Sequence, residues 1–309
     1  MNSSFIINGG IGRVISAIPA LEKFAKWNPH DDFKVFVYGW ESIFWSHPLL
    51  QQRTYSIGQK GIFHDYIKNT NLMIPEPYER YNYYSQKKSL AESFDEEINN
   101  TNDHSDLGKP NLYLQVSEIN AVRSILKEQL DKQSKRNIVV IQPYGSGMIM
   151  QHNRPCDPSV RSLDVNDFLK IGKELSKDAL VVYFGNKEFA HPADDFSFKP
   201  FDLNPDLRFY IALISQCDYF LGCDSSGQHI AHAFNKPGTV IMGSTFEKNV
   251  SYPNHFRIFR NGLEPVYNPI RISQVDSEFA DRANDKLMTF TDLQITALIN
   301  NVRQDLLKI

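Results

Sequence analysis

The chain has 309 residues, of which 41% are hydrophobic and 22% are charged. This balance excludes a disordered or fibrous protein, and the length suffices for two ordinary domains. The formal net charge is −3 and neither half is basic overall, so composition demands no nucleic-acid partner. No apolar run approaches the ~20 residues that cross a bilayer. The first residues lack a signal-peptide pattern, and we therefore expect a cytoplasmic protein.

Strands and helices alternate through the first part of the chain. An apolar strand at 5–8 leads into residues 9–12 (GGIG) and a helix, whose apolar residues recur at helical spacing as far as residue 25. We expect Pro19 to delay or bend this helix. Strands at 33–38 and 54–57 follow, and this order predicts a parallel sheet with right-handed crossovers.

The middle of the chain is polar, and the α/β alternation resumes after it. Residues 85–110 predict a helix followed by a loop from residue 99. A strand at 111–115 and a helix at 117–133 come next. The apolar run 138–142 (IVVIQ) starts a second domain, in which helices and strands are predicted at 165–175, 180–184, 209–215, 219–222, 230–234, 239–242 and 291–307.

The fold class is therefore α/β, with two Rossmann-like, doubly wound domains that we expect to face each other across a cleft. We place the boundary near residue 135, giving domains 1–135 and 136–309. The final helix, 291–307, is a candidate to pack back on the first domain.

The cysteine and histidine patterns indicate neither a disulfide framework nor a metal site. Cys156, Cys217 and Cys223 cannot form a complete disulfide set, and the last two flank an apolar strand, where we expect them to be buried. Neither a CxxC pair nor an HExxH motif occurs. We predict no metal ion and no cofactor.

The strongest functional signal lies between the strand at 219–222 and the next helix. Small polar residues and a histidine open that helix, where unpaired amides and the positive end of the helix dipole meet. This arrangement predicts a diphosphate site, formed by Asp224, Ser225, Ser226, Gly227, Gln228 and His229. We interpret His229 as the donor on the phosphate side and His232 as structural.

Other loops at strand ends leave alternatives open. Residues 9–12 do not match GxGxxG, so they indicate either close approach of a ligand or a plain turn. Ser146 follows the strand 138–142, where ligands bind in such sheets. Arg161 is either a phosphate donor or a surface charge. Glu188 is either a partner of a ribose or base, or an ordinary helix-start carboxylate.

Aromatic and basic residues interleave at 78–88 (YERYNYYSQKK). Such a surface stacks sugars or bases through residues such as Tyr81, Tyr83 and Lys87. The competing interpretation is a partly buried aromatic loop.

Taken in order, five stretches make the chain resemble family-nine glycosyltransferases, the ADP-heptose:lipopolysaccharide heptosyltransferase group. They are GGIGRVISAIPALEKF, VYGWESIFWSHPLL, IVVIQPYGSG with RSLDVNDFLKIGKEL, VVYFGN, and LGCDSSGQHIAHAFNKPGTVIMGST. The resemblance covers most of the chain, except about 60–130, and implies the GT-B fold. It also implies an inverting, metal-independent sugar transfer.

The resemblance also implies roles for individual residues. The segment 224–229 falls on the donor-binding segment of the family, and Ser146 and Arg161 lie near its other phosphate contacts. Gly10, Gly12 and Arg13 fall on its first glycine-rich turn, and we assign them to donor and phosphate binding. Glu188 lies near its nucleoside contact. Where the family has a catalytic Asp, this chain has Arg13, which cannot act as a base at neutral pH. Glu41 and Asp65, both after strands, are the candidate replacements.

The sequence therefore predicts a hexosyl-, heptosyl- or pentosyltransferase that moves a sugar from a nucleotide-diphosphate sugar to a saccharide hydroxyl. The donor is a co-substrate, and no stable membrane insertion is expected. One alternative is a phage-type enzyme that glycosylates hydroxymethylated DNA bases, for which Arg13 and residues 78–88 would contact a polyanion. A second alternative is a non-catalytic nucleotide-sugar binding protein, and a third is a nucleotide-sugar epimerase.

Overall fold

The computed structural model describes residues 2–152, 154–183, 207–263 and 285–309. Glu188 and the last residue of the predicted strand 180–184 lie outside the described residues. Residues up to Gln115 form one compact unit, and the described residues from Val116 onward form a second. Each unit is an α/β fold around its own parallel sheet.

The first unit has a four-stranded parallel sheet with the order β3-β2-β1-β4. Its strands are β1 (Ser3–Ile7), β2 (Lys34–Val37), β3 (Thr54–Ser56) and β4 (Asn71–Met73), and its helices are α1 (Ile11–Trp27), α2 (Tyr81–Tyr84) and α3 (Leu90–Ile98). Phe5, Phe24 and Phe33 pack edge to face in the core with ring centroids 4.9 to 5.8 Å apart. Buried side chains of β1, of α1 and of the residue before β2 thus share one core.

The second unit has a five-stranded parallel sheet with the order β11-β10-β9-β5-β8, and a separate hairpin, β6-β7. The strands are β5 (Ile138–Gln142), β6 (Ile149–Gln151), β7 (Arg154–Cys156), β8 (Leu180–Tyr183), β9 (Tyr219–Cys223), β10 (Gly238–Ile241) and β11 (Arg257–Phe259). The helices are α4 (Val116–Gln133), α5 (Val165–Leu175), α6 (Leu207–Gln216), α7 (Ser226–Ala233), α8 (Glu247–Val250) and α9 (Asp292–Leu306). The strands β5, β9 and β10 and the edge strand β8 are buried throughout.

The two units divide in the sequence before α4, whereas the sequence analysis placed the boundary after it, near residue 135. The reason is that α4 packs on α6 of the second unit. Arg208 pairs with Glu118 at 2.6 Å, and Arg123 Nε donates to Gln216 Oε1 at 2.7 Å. Helix α9 packs on α5 within the second unit, and its packing on the first domain stays a prediction.

Several local predictions need correction. Helix α1 runs without a break from Ile11 to Trp27 although it contains Pro19. Residues 111–115 form no strand, and α7 begins four residues earlier than the predicted start at residue 230. The short strands β4 and β11 and the hairpin β6-β7 were not predicted. Burial of Cys217 and Cys223 is confirmed, and burial raises the pKa of the Cys217 thiol to about 12, so this thiol stays unreactive at neutral pH.

Candidate functional site

The order of the second sheet places its candidate site between β5 and β9. The chain runs from β5 outward to β8, and then crosses to the other side of β5 to form β9. In a doubly wound sheet the loops at the carboxyl ends of two such strands separate and leave a ligand crevice. The loop after β5 contains Ser146, and the turn after β9 is the segment 224–229, so both predicted phosphate loops lie at this switch point.

Gln142, the last residue of β5, holds these two loops together. Its side chain is fully buried and makes three hydrogen bonds. The Nε2 group donates to Ser225 Oγ at 3.0 Å, while Oε1 accepts from Gly227 N at 2.8 Å and from Tyr210 Oη at 2.7 Å. The Gly227 amide, in the first turn of α7, is thus satisfied by the protein itself. The sequence analysis had assumed that the amides of this turn were unpaired and available to a ligand, and for Gly227 this is not the case.

Gly227 is required by this close approach. A Cβ atom at this position would lie 2.3 Å from Gln142 Oε1 and 2.5 Å from Tyr210 Oη, so any side chain would break the contact. Within the same turn, Gln228 Nε2 donates to Asp224 Oδ1 at 2.7 Å, and both residues are buried. The Asp224 carboxylate therefore orients the turn.

A third loop, residues 157–162, is tied to the first loop through Ser162, and Asp157 fixes its shape. Ser162 Oγ accepts from Gly145 N at 2.9 Å, and the Asp157 carboxylate accepts from the amides and hydroxyls of Ser159 and Ser162. Burial opposes ionisation of Asp157, but the hydrogen bonds from Ser159 and Ser162 and the nearby Arg161 charge hold its pKa below the usual value. The loop is thus fixed by an ionised carboxylate.

A fourth loop, residues 243–247, follows β10 and is tied to the third. Ser244 donates through Oγ to Ser159 O at 2.6 Å and through its amide to Val160 O at 3.2 Å. Val160 has φ of 50°, a left-handed conformation that is strained for a β-branched residue. Such strain persists only where the surroundings enforce it, and it is concentrated at ligand sites. These four loops, 143–147, 157–162, 224–229 and 243–247, are called the loop cluster below.

Two predicted phosphate contacts lie on the loop cluster with free polar groups. Ser146 is exposed in the first loop. Arg161, which follows the strained Val160, donates from Nε to Ser159 Oγ at 3.0 Å. Within the described residues no acceptor takes its two terminal nitrogens, which are the groups that bind a phosphate.

His229 lies on the first turn of α7 and is buried, with 6% of its surface exposed. Burial lowers its pKa to about 4, although the Asp224 charge opposes this shift, so the ring is neutral at pH 7. Its Nδ1 atom lies 2.8 Å from Tyr252 Oη, and the same tyrosine ring stacks on His232 at 3.7 Å between centroids. Tyr252 thus positions both histidines.

In the first unit, Arg13 does not present its charge to a ligand. Its Nη1 lies 2.8 Å from Glu76 Oε1, its Nη2 lies 3.2 Å from Oε2 of the same carboxylate, and Nη2 also donates to Pro75 O at 2.8 Å. The guanidinium also lies 4.8 Å from the centroid of the Tyr78 ring. The assignment of Arg13 to phosphate is therefore corrected. Gly10 caps the N-terminus of α1 and is exposed, and Gly12 lies in the first turn of that helix and is partly exposed.

The structure separates the two candidate bases. Asp65 lies on an exposed helical turn, 63–67, at some distance along the chain from the end of β3. Glu41 starts a short helical turn directly after β2, at the carboxyl edge of the sheet, and its Oε1 is buried without a hydrogen-bond partner among the described residues. Glu41 is therefore the better-placed carboxylate.

The predicted acceptor surface at 78–88 is only partly exposed. Tyr83 is 1% exposed and packs edge to face on Tyr78, so it cannot contact an acceptor and this assignment is corrected. Tyr81 is 58% exposed, and the Lys87 ammonium lies 4.5 Å from the centroid of its ring. That pair remains accessible.

Sequence reasoning missed Gln142, Asp157 and Tyr252. Gln142 ends a predicted strand, a signal that was present in the sequence, but Asp157 and Tyr252 follow no predicted strand and had no such signal. Among the described residues, no group of three or more His, Cys, Asp and Glu side chains could hold a metal ion. None of the helices in the described ranges combines the length and apolarity needed to cross a bilayer.

No protein-family model matches the chain, and no curated protein matches its sequence. Solved structures do share its fold. A family-nine glycosyl transferase from Veillonella parvula has a TM-score of 0.69 at 10% identity, covering 100% of this chain and 98% of that one. The E. coli ADP-heptose LPS heptosyltransferase II has a TM-score of 0.60 at 12% identity, covering 100% and 99%. E. coli heptosyltransferase WaaC with ADP has a TM-score of 0.56 at 11% identity, covering 99% and 100%. The chain therefore has the GT-B fold of family-nine glycosyltransferases.

Proposed function

We propose that this protein is a glycosyltransferase that moves a sugar from a nucleotide-diphosphate sugar to a saccharide hydroxyl, with inversion and without a metal ion. The observation that carries the proposal is the loop cluster, which gathers the N-terminus of α7, His229, Arg161 and Ser146 at the switch point of a doubly wound sheet. The structural neighbours include an ADP-heptose LPS heptosyltransferase and a heptosyltransferase solved with ADP, and these support a nucleotide-diphosphate donor.

The second unit would bind the donor diphosphate. The amides at the start of α7 carry the positive end of its dipole, and the terminal nitrogens of Arg161 match the geometry of phosphate oxygens. A neutral His229 holds one ring hydrogen. If the Tyr252 hydroxyl donates to Nδ1, that hydrogen sits on Nε2 and can be donated to the diphosphate.

These donors would stabilise the charge that develops on the diphosphate as the bond to the sugar breaks. Glu41 would take the proton from the attacking acceptor hydroxyl, whose oxygen forms the new bond to the anomeric carbon in one displacement. The nucleoside diphosphate then leaves with the electron pair of the broken bond.

The pairing of Arg13 with Glu76 weakens two of the alternatives. The DNA-glycosylating alternative used Arg13 as a contact to phosphate, and the non-catalytic alternative was motivated by its presence in place of the family Asp. Both terminal nitrogens of Arg13 already bind Glu76, and a different carboxylate, Glu41, is available at the same edge of the sheet.

The proposal is tested with purified protein in two steps. Thermal-shift measurements with ADP, UDP, GDP, CDP and their sugars identify the donor, because a ligand that binds only the folded state raises its stability. Transfer to a panel of saccharides is then followed by mass spectrometry for the wild type, His229→Ala and the exposed-histidine control His30→Ala. We expect His229→Ala to raise the activation barrier by about 3 kcal/mol and to lower turnover accordingly. Equal turnover of His229→Ala and the wild type, or no nucleotide binding at all, would contradict the proposal.

A further inference from the structure

Four rings of the second unit contact one another in a chain that ends on His229. The imidazole of His232 lies flat on the ring of Tyr252, with 3.7 Å between the ring centroids and 17° between the ring planes. The tyrosine ring stands at 85° to the ring of His229, and its hydroxyl oxygen lies 2.8 Å from His229 Nδ1. His255 packs edge to face on His232, with 4.8 Å between centroids. His232, which the sequence analysis interpreted as structural, is therefore linked to His229 through the tyrosine.

The backbone brings these rings together from two segments. His229 and His232 are three residues apart on α7, so their side chains lie on the same face of the helix. Tyr252 and His255 lie in the irregular stretch between α8 and β11, where the His255 amide donates to Tyr252 O at 2.8 Å. His255 Nε2 donates to Lys236 O at 2.9 Å, just beyond the end of α7. This bond fixes the irregular stretch to the helix, and the rings of the two segments meet as a result.

The ring plane of Tyr252 decides where its hydroxyl hydrogen points. The O–H bond of a phenol prefers the plane of its ring. Tyr252 is only partly buried and belongs to no helix or strand. The backbone leaves the plane of a tyrosine ring loosely constrained, so the groups packed on its faces set that plane. The nearly parallel ring of His232 therefore fixes the direction in which the hydroxyl meets His229 Nδ1.

The direction of this hydrogen bond determines which nitrogen of His229 carries hydrogen. Burial keeps the ring neutral at pH 7, so it has one ring hydrogen. A bare imidazole nitrogen is a stronger acceptor than a phenol oxygen, and a phenol is a stronger donor than a neutral imidazole N–H. This balance favours donation from the Tyr252 hydroxyl to Nδ1, which leaves the ring hydrogen on Nε2.

We propose that His232 is a positioning residue, which stacks on Tyr252, holds the tyrosine hydroxyl on His229 Nδ1 and so keeps His229 in the tautomer with hydrogen on Nε2. The inference deepens the proposed function and rests on it only for the claim that this hydrogen is donated to the diphosphate. The tautomer itself stands on the geometry of the three rings. His232 acts through Tyr252, and its flat ring is the part that matters.

The test detects the tautomer of His229 directly and needs no substrate. NMR of the full-length protein, labelled with ¹⁵N-histidine and kept at neutral pH, correlates the ring nitrogens with the ring C–H hydrogens. These spectra distinguish a nitrogen that carries hydrogen from one that does not, and the His229 signals are those that disappear in His229→Gln. The other variants are Tyr252→Phe, His232→Ala and His232→Phe, and His30→Ala is the exposed-histidine control.

We expect the hydrogen of His229 on Nε2 in the wild type and in the control. Tyr252→Phe should give a mixture of the two tautomers, His232→Ala should shift the signals in the same direction, and His232→Phe, which restores a flat ring, should return them to the wild-type positions. Hydrogen on Nδ1 in the wild type, or wild-type signals in His232→Ala, would overturn the inference. Mixed signals in His232→Phe would overturn it too, because the flat ring would then not suffice. If His232→Ala does not fold, His232→Leu, which has apolar bulk but no flat ring, takes its place.

Kinetics of the same variants separate this inference from the proposed function. Once a donor and an acceptor are identified, His232→Ala should lower kcat about threefold to tenfold, the range that corresponds to the loss of one aromatic pair, at unchanged donor KM. His232→Phe should restore kcat. If the tautomer depends on His232 but no transfer is found, the positioning role stands and the proposed function fails. If transfer is found and the tautomer does not depend on His232, the proposed function stands and the inference fails.

Discussion

Arg13 and Glu76 form a two-point ion pair where β1 and β4 end, with nitrogen–oxygen distances of 2.8 and 3.2 Å. The strands β1 and β4 flank the switch point of the first sheet, because the chain builds β2 and β3 on one side of β1 and then crosses to the other. The pair therefore occupies the position where a doubly wound sheet usually binds its ligand. The guanidinium of Arg13 is thus neutralised by Glu76, and the ion pair stabilises the fold of the first unit.

Removal of Arg13 is therefore expected to cost stability and to leave donor binding intact. Arg13 is 8% exposed and the Glu76 side chain 14%, so Arg13→Met leaves a largely buried carboxylate without its partner. We expect a loss of about 3 kcal/mol in urea unfolding. The double variant Arg13→Met/Glu76→Gln should recover most of this loss. If Arg13→Met instead weakened nucleotide affinity tenfold at unchanged stability, Arg13 would be a phosphate ligand after all.

Replacement of Gln142 should disorganise the donor loops. Gln142→Leu keeps a buried side chain of similar size but leaves Gly227 N and Tyr210 Oη without the acceptor they now share. We expect about 1 to 3 kcal/mol of lost stability, since a buried backbone amide left without an acceptor costs roughly that much. Nucleotide affinity, followed by calorimetry, should fall by more than tenfold. Full affinity in a variant of unchanged stability would show that this residue does not organise the turn.

The elements that were predicted well carry their signal locally. The apolar run 138–142 is β5 with the same bounds, and α5 starts after Asp164 as predicted, because that side chain accepts hydrogen bonds from the amides of Asn166 and Asp167. The turn at 224–229 was recognised because small residues, a strand and a helix follow one another in the sequence. Each of these signals spans fewer than a dozen residues.

The contacts that shape the site depend instead on distant parts of the chain. Arg13 and Glu76 are 63 residues apart, and Gln142 and Gly227 are 85 apart. No local pattern shows that the guanidinium is already paired or that the Gly227 amide is already satisfied. Strand β4 has only three residues, two of them exposed, so it gives neither an apolar run nor clear alternation.

The contact between Tyr252 and His229 should matter more for turnover than for stability. Tyr252→Phe keeps the ring that stacks on His232 but removes the hydroxyl that lies 2.8 Å from His229 Nδ1. The neutral imidazole then loses the group that fixes its tautomer, and we expect kcat to fall about tenfold, or ~1.4 kcal/mol of barrier. Steady-state kinetics of Tyr252→Phe and of the control Tyr55→Phe make the comparison. A change confined to the acceptor KM would assign Tyr252 to another role.

Burial of neutral His229 predicts a specific loss of stability in mild acid. Its pKa is about 4 in the folded protein, against roughly 6.5 in an unfolded chain, so the unfolded state binds the extra proton first as the pH falls. The shift therefore costs no stability above pH ~6.5. As the pH falls from ~6.5 to ~4, it lowers the free energy of unfolding progressively, by about 3 kcal/mol in total. Carboxylates also titrate in this range, so the informative quantity is the difference between the wild type and His229→Gln. We expect urea unfolding between these pH values to show a shallower pH dependence for His229→Gln, whereas the exposed-residue control His30→Gln should follow the wild type. Parallel curves for the wild type and His229→Gln would mean that the pKa of His229 is the same in the folded and the unfolded state, which would contradict the claim that burial keeps this imidazole neutral.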